Sequence, residues 1–164
     1  MAEKNDFTIT RVFDAPKDLV WEVYTNEKHL ANWWGPKGFK MLKSKLDFRP
    51  GGIFHYGMES PDGHVMWGKF VYREIDPKDK IVFVVSFSDE NAGITRHPMA
   101  PTWPAETINT AIFTESNGKT TVRLKGHPIN SSADEDALFY GAFESMNQGF
   151  KGTFDQLDEY LKSL

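Results

Sequence analysis

One stretch limits the architecture of this chain more than any other. Towards the C-terminus, Phe139, Phe143, Met146, Phe150, Phe154 (or Thr153), Leu157 and Leu161 recur at steps of three and four, the spacing that gathers side chains on one face of an α-helix. Ser132, followed three residues later by Glu135, forms the capping-box pattern that starts such a helix. The spacing predicts one continuous helix of about 30 residues, where the usual mean is about 11–12. So long an apolar face needs a broad surface to cover. Gly141, Gly149 and Gly152 lie within it, and each costs about 1 kcal/mol relative to Ala. They mark a close approach of a strand, room left for a ligand, or merely an exposed side.

The preceding sequence supplies the broad surface. Phe7, Ile9 and Arg11 alternate with Thr8, Thr10 and Val12, which is the period of a strand. Asp14-Ala15-Pro16 ends it, and Pro16 suits the first turn of a helix. Leu19, Val20 and Val23 give that helix an apolar face. A second short helix starts at Thr25 or Asn26, carries Leu30, Trp33 and Trp34, and stops at Gly35-Pro36. Strands are then predicted over residues 39–48, 53–58, 64–75 and 81–87, with turns at Ser60-Pro61-Asp62-Gly63 and Asp76-Pro77-Lys78-Asp79. The strand at 81–87 is apolar on both sides, as expected of a central strand. Residues 88–104 carry Gly93, Pro98, Pro101 and Pro104 and read as one long loop, either a rim or a plain connection. A last hairpin over 106–115 and 120–127 turns at Ser116-Asn117-Gly118. The sum is an α+β chain: a curved antiparallel sheet of about seven strands wrapped around a long C-terminal helix, with two short helices after the first strand.

The 164 residues fit a single domain spanning 1–164. Absence of cysteine excludes disulfides, thiolate catalysis and Cys-based zinc sites. A net charge of -4, with Lys37, Lys40, Lys43 and Lys45 spread among apolar residues, argues against nucleic acid. No run approaches the roughly 18 apolar residues of a membrane span, and the first six residues do not form a secretory signal. The expectation is a cytoplasmic protein without membrane insertion. The aromatic content is high, with 13 Phe, 5 Trp and 5 Tyr. Rings carry large apolar area at low rotamer cost and line pockets as readily as cores.

No phosphate-binding loop or nucleophile elbow occurs. His29, His55, His64, His97 and His127 show no metal-ligand spacing, and no carboxylate pair suits acid–base work, Glu144 being expected to face solvent. Catalytic residues, metal and cofactor are therefore expected to be none. His55 would be a polar anchor of the pocket if it faced inward, but alternation places it outward, opposite Phe54, Tyr56 and Met58; Trp67 likewise turns away from Met66 and Phe70. Neighbours on a helix point about 100° apart, so one of Trp33 and Trp34 packs inward while the other meets the loop or a cavity. Trp103 either plugs the core or rims a pocket with His97.

Several segments together resemble the family named for the activator of the Hsp90 ATPase, within the START / Bet v 1-like helix-grip superfamily. They are RVFDAPKDLVWEVYTNEKHLANWWGPKGF (11–39), RPGGIF (49–54), DGHVMWGKFVYREIDPKDKIVF (62–83), FSDENAG (87–93), HPMAPTWP (97–104) and SMNQGFKGTFDQLDEYL (145–161). The resemblance is collinear over nearly the whole chain. One departure is Gly149-Phe150, where the family often has Gly-Trp. The change keeps an aromatic ring and loses an indole donor. The resemblance implies the helix-grip fold with a cavity between sheet and helix. The superfamily includes carriers, receptors, cyclases and chaperone activators, so fold alone does not fix function.

The leading expectation is a binding module for a small hydrophobic ligand, lipid-like, polyketide-like or aromatic. Its pocket residues would be Trp34, Tyr56, Phe87, His97, Trp103, Phe143, Met146 and Phe150. A cyclase- or hydrolase-like enzyme using the same cavity is the second reading, and it requires an inward titratable group with a perturbed pKa. A protein partner, a chaperone whose ATPase is modulated, is the third.

Overall fold

The computed structural model describes residues 6–97 and 100–164. The N-terminal segment 1–5, read above as no secretory signal, and Pro98 and Met99 of the loop lie outside them. In chain order the elements are β1 (Phe7–Phe13), α1 (Lys17–Thr25), α2 (Glu27–Trp33), β2 (Lys40–Leu46), β3 (Ile53–Glu59), β4 (Val65–Asp76), β5 (Lys80–Ser88), β6 (Ile94–Thr95), β7 (Glu106–Ser116), β8 (Lys119–Ile129), α3 (Ala133–Tyr140) and α4 (Phe143–Lys162). One antiparallel sheet runs β1-β8-β7-β5-β4-β3-β2, with β6 paired to β5 beside that path. This is the helix-grip architecture expected, with the predicted strand ends correct to within two residues.

Register explains which side chains meet. Tyr72 pairs with Phe83, Phe83 with Asn109, Asn109 with Gly126, and Gly126 with Phe7. Because successive residues of a strand face opposite ways, this row and those two residues on either side share the concave face. Phe13, Phe54, Phe70, Ile81, Phe113, Val122 and Leu124 from that face meet Phe154, Leu157 and Leu161 of α4 in the buried core. Arg11, on the same face of β1, reaches Asp155 of α4 at 2.6 Å and fixes the helix along the edge strand. The β7–β8 turn is built by Asn117 (φ 55°) and Gly118 (φ 75°), the two left-handed residues that match the twist of a tight hairpin.

α1 and α2 close the other end of the sheet. Pro16 stands just before α1 rather than inside it. Asn26 caps α2 by accepting from the Lys28 amide at 3.0 Å. Trp33 is 1% exposed, and its indole donates to the Val23 carbonyl at 2.8 Å. It is the inward member of the Trp pair.

Two expectations need correction. The single C-terminal helix is two. Ser132 and Glu135 form the capping box as read, but α3 ends at Gly141, whose amide closes onto Ala137 at 3.1 Å, and Ala142 (φ -108°, ψ 12°) leaves the helical region. Glycine is a weak helix former, and the bend keeps Phe139 buried while turning Phe143 towards β1, 5.4 Å from Phe7. The long loop is not wholly irregular either. Asp89 accepts from the amides of Asn91 and Gly93, both at 2.9 Å, and this turn folds the chain back so that Ile94 and Thr95 pair with β5.

Candidate functional site

The bend of the sheet and the slant of α4 leave a cleft between them. Its main part encloses about 370 Å³ and opens beside Gly35-Pro36. Trp34 forms one wall, standing edge-on to Phe70 with ring centroids 5.0 Å apart. Tyr56, Met58 and Met66 come from the concave faces of β3 and β4, Phe87 from the end of β5, and Met146, Gly149, Phe150 and Thr153 from one face of α4. His97 packs edge-on against Phe87, centroids 4.8 Å apart, at the mouth. The rim is pinned: the Thr153 hydroxyl and the Gln156 amide both donate to the Gly35 carbonyl, at 3.0 and 2.8 Å.

An inner recess of about 180 Å³ adjoins it and shares Trp34, Met146 and Phe150. Tyr24, Phe83, Leu124 and Phe139 surround it, Trp103 closes one side, and Thr107 and Asn109 of β7 form part of its floor. Trp103 thus belongs to the wall of a pocket, 5.6 Å from Phe139. A further hollow of about 90 Å³ between Tyr56, Phe87, Trp103 and Thr107 joins both.

The structure therefore brings Trp34, Tyr56, Phe87, His97, Met146 and Phe150 into one cleft and Trp103 into the recess beside it. Phe143 lines neither; it packs on Phe7, Phe139 and Tyr140. The sequence reading missed Met58, Met66, Thr107, Asn109 and Thr153. Strict alternation from Phe54 and Tyr56 reaches Met58, and Asn109 at an inward position two residues from Ala111 breaks an apolar face. Both signals were present in the strand pattern. His55 faces outward as expected. It stacks on Trp67 (5.1 Å, 13°) and meets the Asp89 carbonyl at 2.8 Å on the convex side. A hollow of about 410 Å³ there is lined by Lys45, Asp47, His55 and Glu90 together with Ile53 and Ala92.

Among the described residues, no lysine, arginine, aspartate or glutamate lines the cleft or the inner recess. Their titratable groups are His97 and two phenols. Burial pushes Tyr56 up to about 12, with a hydrogen bond from Trp34 acting the other way. Burial raises Tyr24 as well. Both phenols stay protonated at neutral pH, so they offer donors in an apolar wall. Glu144 is exposed on the outer face of α4. Among the described residues no group of three metal-ligating side chains assembles, and no helix is long and apolar enough to cross a membrane.

Arg96 ties the loop to α3. Its guanidinium reaches Glu135 at 2.5 Å and the carbonyls of Pro101 and Trp103 at 3.4 Å. The Arg96 guanidinium and the Ser132 amide hold the Glu135 carboxyl below its ordinary range. One ion pair thereby fixes both the aromatic wall at Trp103 and the start of α3.

Solved structures share this arrangement. A protein from Mycobacterium smegmatis is 28% identical and superposes with a TM-score of 0.75 over 96% of this chain and 91% of its own. A protein from Arthrobacter aurescens, 24% identical, gives 0.80 over 98% of this chain and 88% of its own. A protein from Silicibacter pomeroyi described as AHSA1, 18% identical, gives 0.72 over 96% and 97%. The last two show the fold alone. No curated protein matches the chain. The model of the family described as Activator of Hsp90 ATPase homolog 1-like protein matches residues 14–162. That match spans nearly the whole chain, and the chain belongs to that family.

Proposed function

We propose that this protein binds a small hydrophobic or aromatic ligand in the cleft between the sheet and α4. The observation that carries the reading is the cleft itself: about 370 Å³, walled by Trp34, Tyr56, Phe87, Met146 and Phe150, with few polar groups converging on it. Its size and character match small-molecule sites, which are typically about 300–1,000 Å³ and mostly apolar. The cleft is open to solvent, so water fills it until an apolar ligand displaces that water. Gly149 adds to this space, since a Cβ built there would meet no atom within 4 Å.

The phenols favour binding over acid–base turnover. A group held protonated to about pH 12, as Tyr56 is, donates a hydrogen bond and gives up its proton reluctantly. The proposal keeps the protein in the cytoplasm. The chaperone partner suggested by the family description is the competing reading, and co-purification with a chaperone and a change in its ATPase rate would favour it.

The test is an amide NMR titration with fatty acids, polyketides and planar aromatics in turn. Shifts confined to Trp34, Tyr56, Phe87, Met146 and Phe150, and lost in Gly149→Phe, support the site. No shift at millimolar ligand overturns it.

A further inference from the structure

The inner recess has a single carboxamide in a ring-lined wall. The concave row across the sheet reads Tyr72, Phe83, Asn109, Gly126, Phe7. Asparagine is disfavoured in strands, and here it stands where its neighbours in the row are aromatic or glycine. Gly126 makes the position tolerable, since a Cβ there would come within 2.4 Å of Asn109 Oδ1. The orientation of the amide follows from its neighbour. Asn109 Nδ2 lies 3.3 Å from the Thr107 carbonyl, which can only accept, and 3.2 Å from Thr107 Oγ1. The amide nitrogen therefore points to Thr107, and Oδ1 is left as an acceptor. Among the described residues no protein donor reaches it. Asn109 is half-buried and its Oδ1 is not sealed from solvent, so water serves this acceptor until a ligand donor takes its place.

Charge and size narrow the ligand further. Among the described residues, neither the recess nor the cleft offers a lysine or arginine to a carboxylate, and an unpaired charge is strongly disfavoured in an apolar site. A recess of about 180 Å³ is close to the roughly 150 Å³ cavity that is known to admit a benzene ring. We infer that the inner recess takes one uncharged ring bearing a hydroxyl, which donates to Asn109 Oδ1, and that Asn109 selects hydroxylated aromatic ligands over carboxylate-headed lipids. The inference rests on the ligand-binding reading above and assigns its polar anchor.

Three matched probes test it: toluene, p-cresol and p-toluate, titrated into the full chain and followed by amide shifts of Asn109, Leu124 and Phe139. Without an acceptor, desolvating the hydroxyl makes p-cresol the weaker ligand of the first two. With Asn109 it binds at least as tightly as toluene, and p-toluate binds more weakly than either. In Asn109→Leu the order of toluene and p-cresol inverts, the ratio of their dissociation constants moving about tenfold, as one lost hydrogen bond gives, while toluene still binds. Asn109→Val serves if the leucine variant does not fold. Toluene outcompeting p-cresol in the wild type, an unchanged ratio in the variant, or tightest binding of p-toluate overturns the anchor and leaves the pocket standing. Failure of all three probes to bind at millimolar concentration overturns the pocket reading and the anchor with it.

Discussion

The same substitution at two glycines should move stability in opposite directions, and the reason is the space around each. Gly149 is the seventh residue of α4, and a Cβ built on it meets no atom within 4 Å because it faces the cleft. Gly149→Ala therefore gains the full helix-propensity difference, about 1 kcal/mol, without a clash. For a domain of this length the gain corresponds to about 2–4 °C in Tm. Gly68 is different. It lies on the concave face of β4 opposite Tyr56, and a Cβ there would fall 2.3 Å from both Cζ and the hydroxyl oxygen of that ring. Tyr56 is 5% exposed and held by Phe54 at 4.9 Å, Phe70 at 5.8 Å and Trp34 at 6.4 Å. It cannot swing aside without moving its neighbours. The overpacking cost, about 1–3 kcal/mol, exceeds the backbone-entropy gain of about 0.5–1 kcal/mol. Gly68→Ala should lose about 1–2 kcal/mol net on that comparison. Urea unfolding and thermal melts followed by circular dichroism read both. A fall in Tm for Gly149→Ala would mean that the space beside α4 is occupied, and a neutral Gly68→Ala would mean that the Tyr56 wall is soft. Either result refutes the geometry of the cleft argued above.

Other consequences are as direct. Tyr56 has its phenol raised from 10.0 to about 12, so the folded state holds a proton that the unfolded state releases first. Its contribution is intact below about pH 10 and is lost as pH rises through about 12, up to roughly 3 kcal/mol for two pKa units. Stability by urea unfolding should fall steeply over pH 10–12, less steeply in Tyr56→Phe, and phenol ionisation at 295 nm should lag in the folded protein; five tyrosines titrating together near 10 would refute this. Trp33→Phe removes the indole donor to the Val23 carbonyl, 2.8 Å away in the buried core, and should cost about 2–3 kcal/mol in urea unfolding through the orphaned acceptor and the lost volume. Arg96→Ala leaves the buried Glu135 carboxylate without its guanidinium and should lower Tm, and hydrogen exchange at Ile94 and Thr95 should speed up as the tie to Glu135 is lost. Unaltered exchange there would show that the ion pair does not hold the loop.

What the sequence decided by itself was local. The capping box at Ser132 and Glu135, the Asn-Gly hairpin, the strand alternation and the apolar helical face each depend on residues within a few positions of one another, so their spacing is readable without coordinates. The outward His55 follows from the same periodicity, whereas which of Trp33 and Trp34 packs inward was settled only by the structure. Tertiary structure decided the rest, because it required comparing positions far apart in the chain. Periodicity ran unbroken past Gly141, since Phe139 and Phe143 keep the four-residue step on both sides of the bend, and only the packing of Phe143 against Phe7 shows that it leaves the cleft. Asn109 is one polar residue on a strand until register sets it between Phe83 and Gly126. The cleft itself exists because the curved sheet and α4 diverge around Trp34, a relation between surfaces that no single segment encodes.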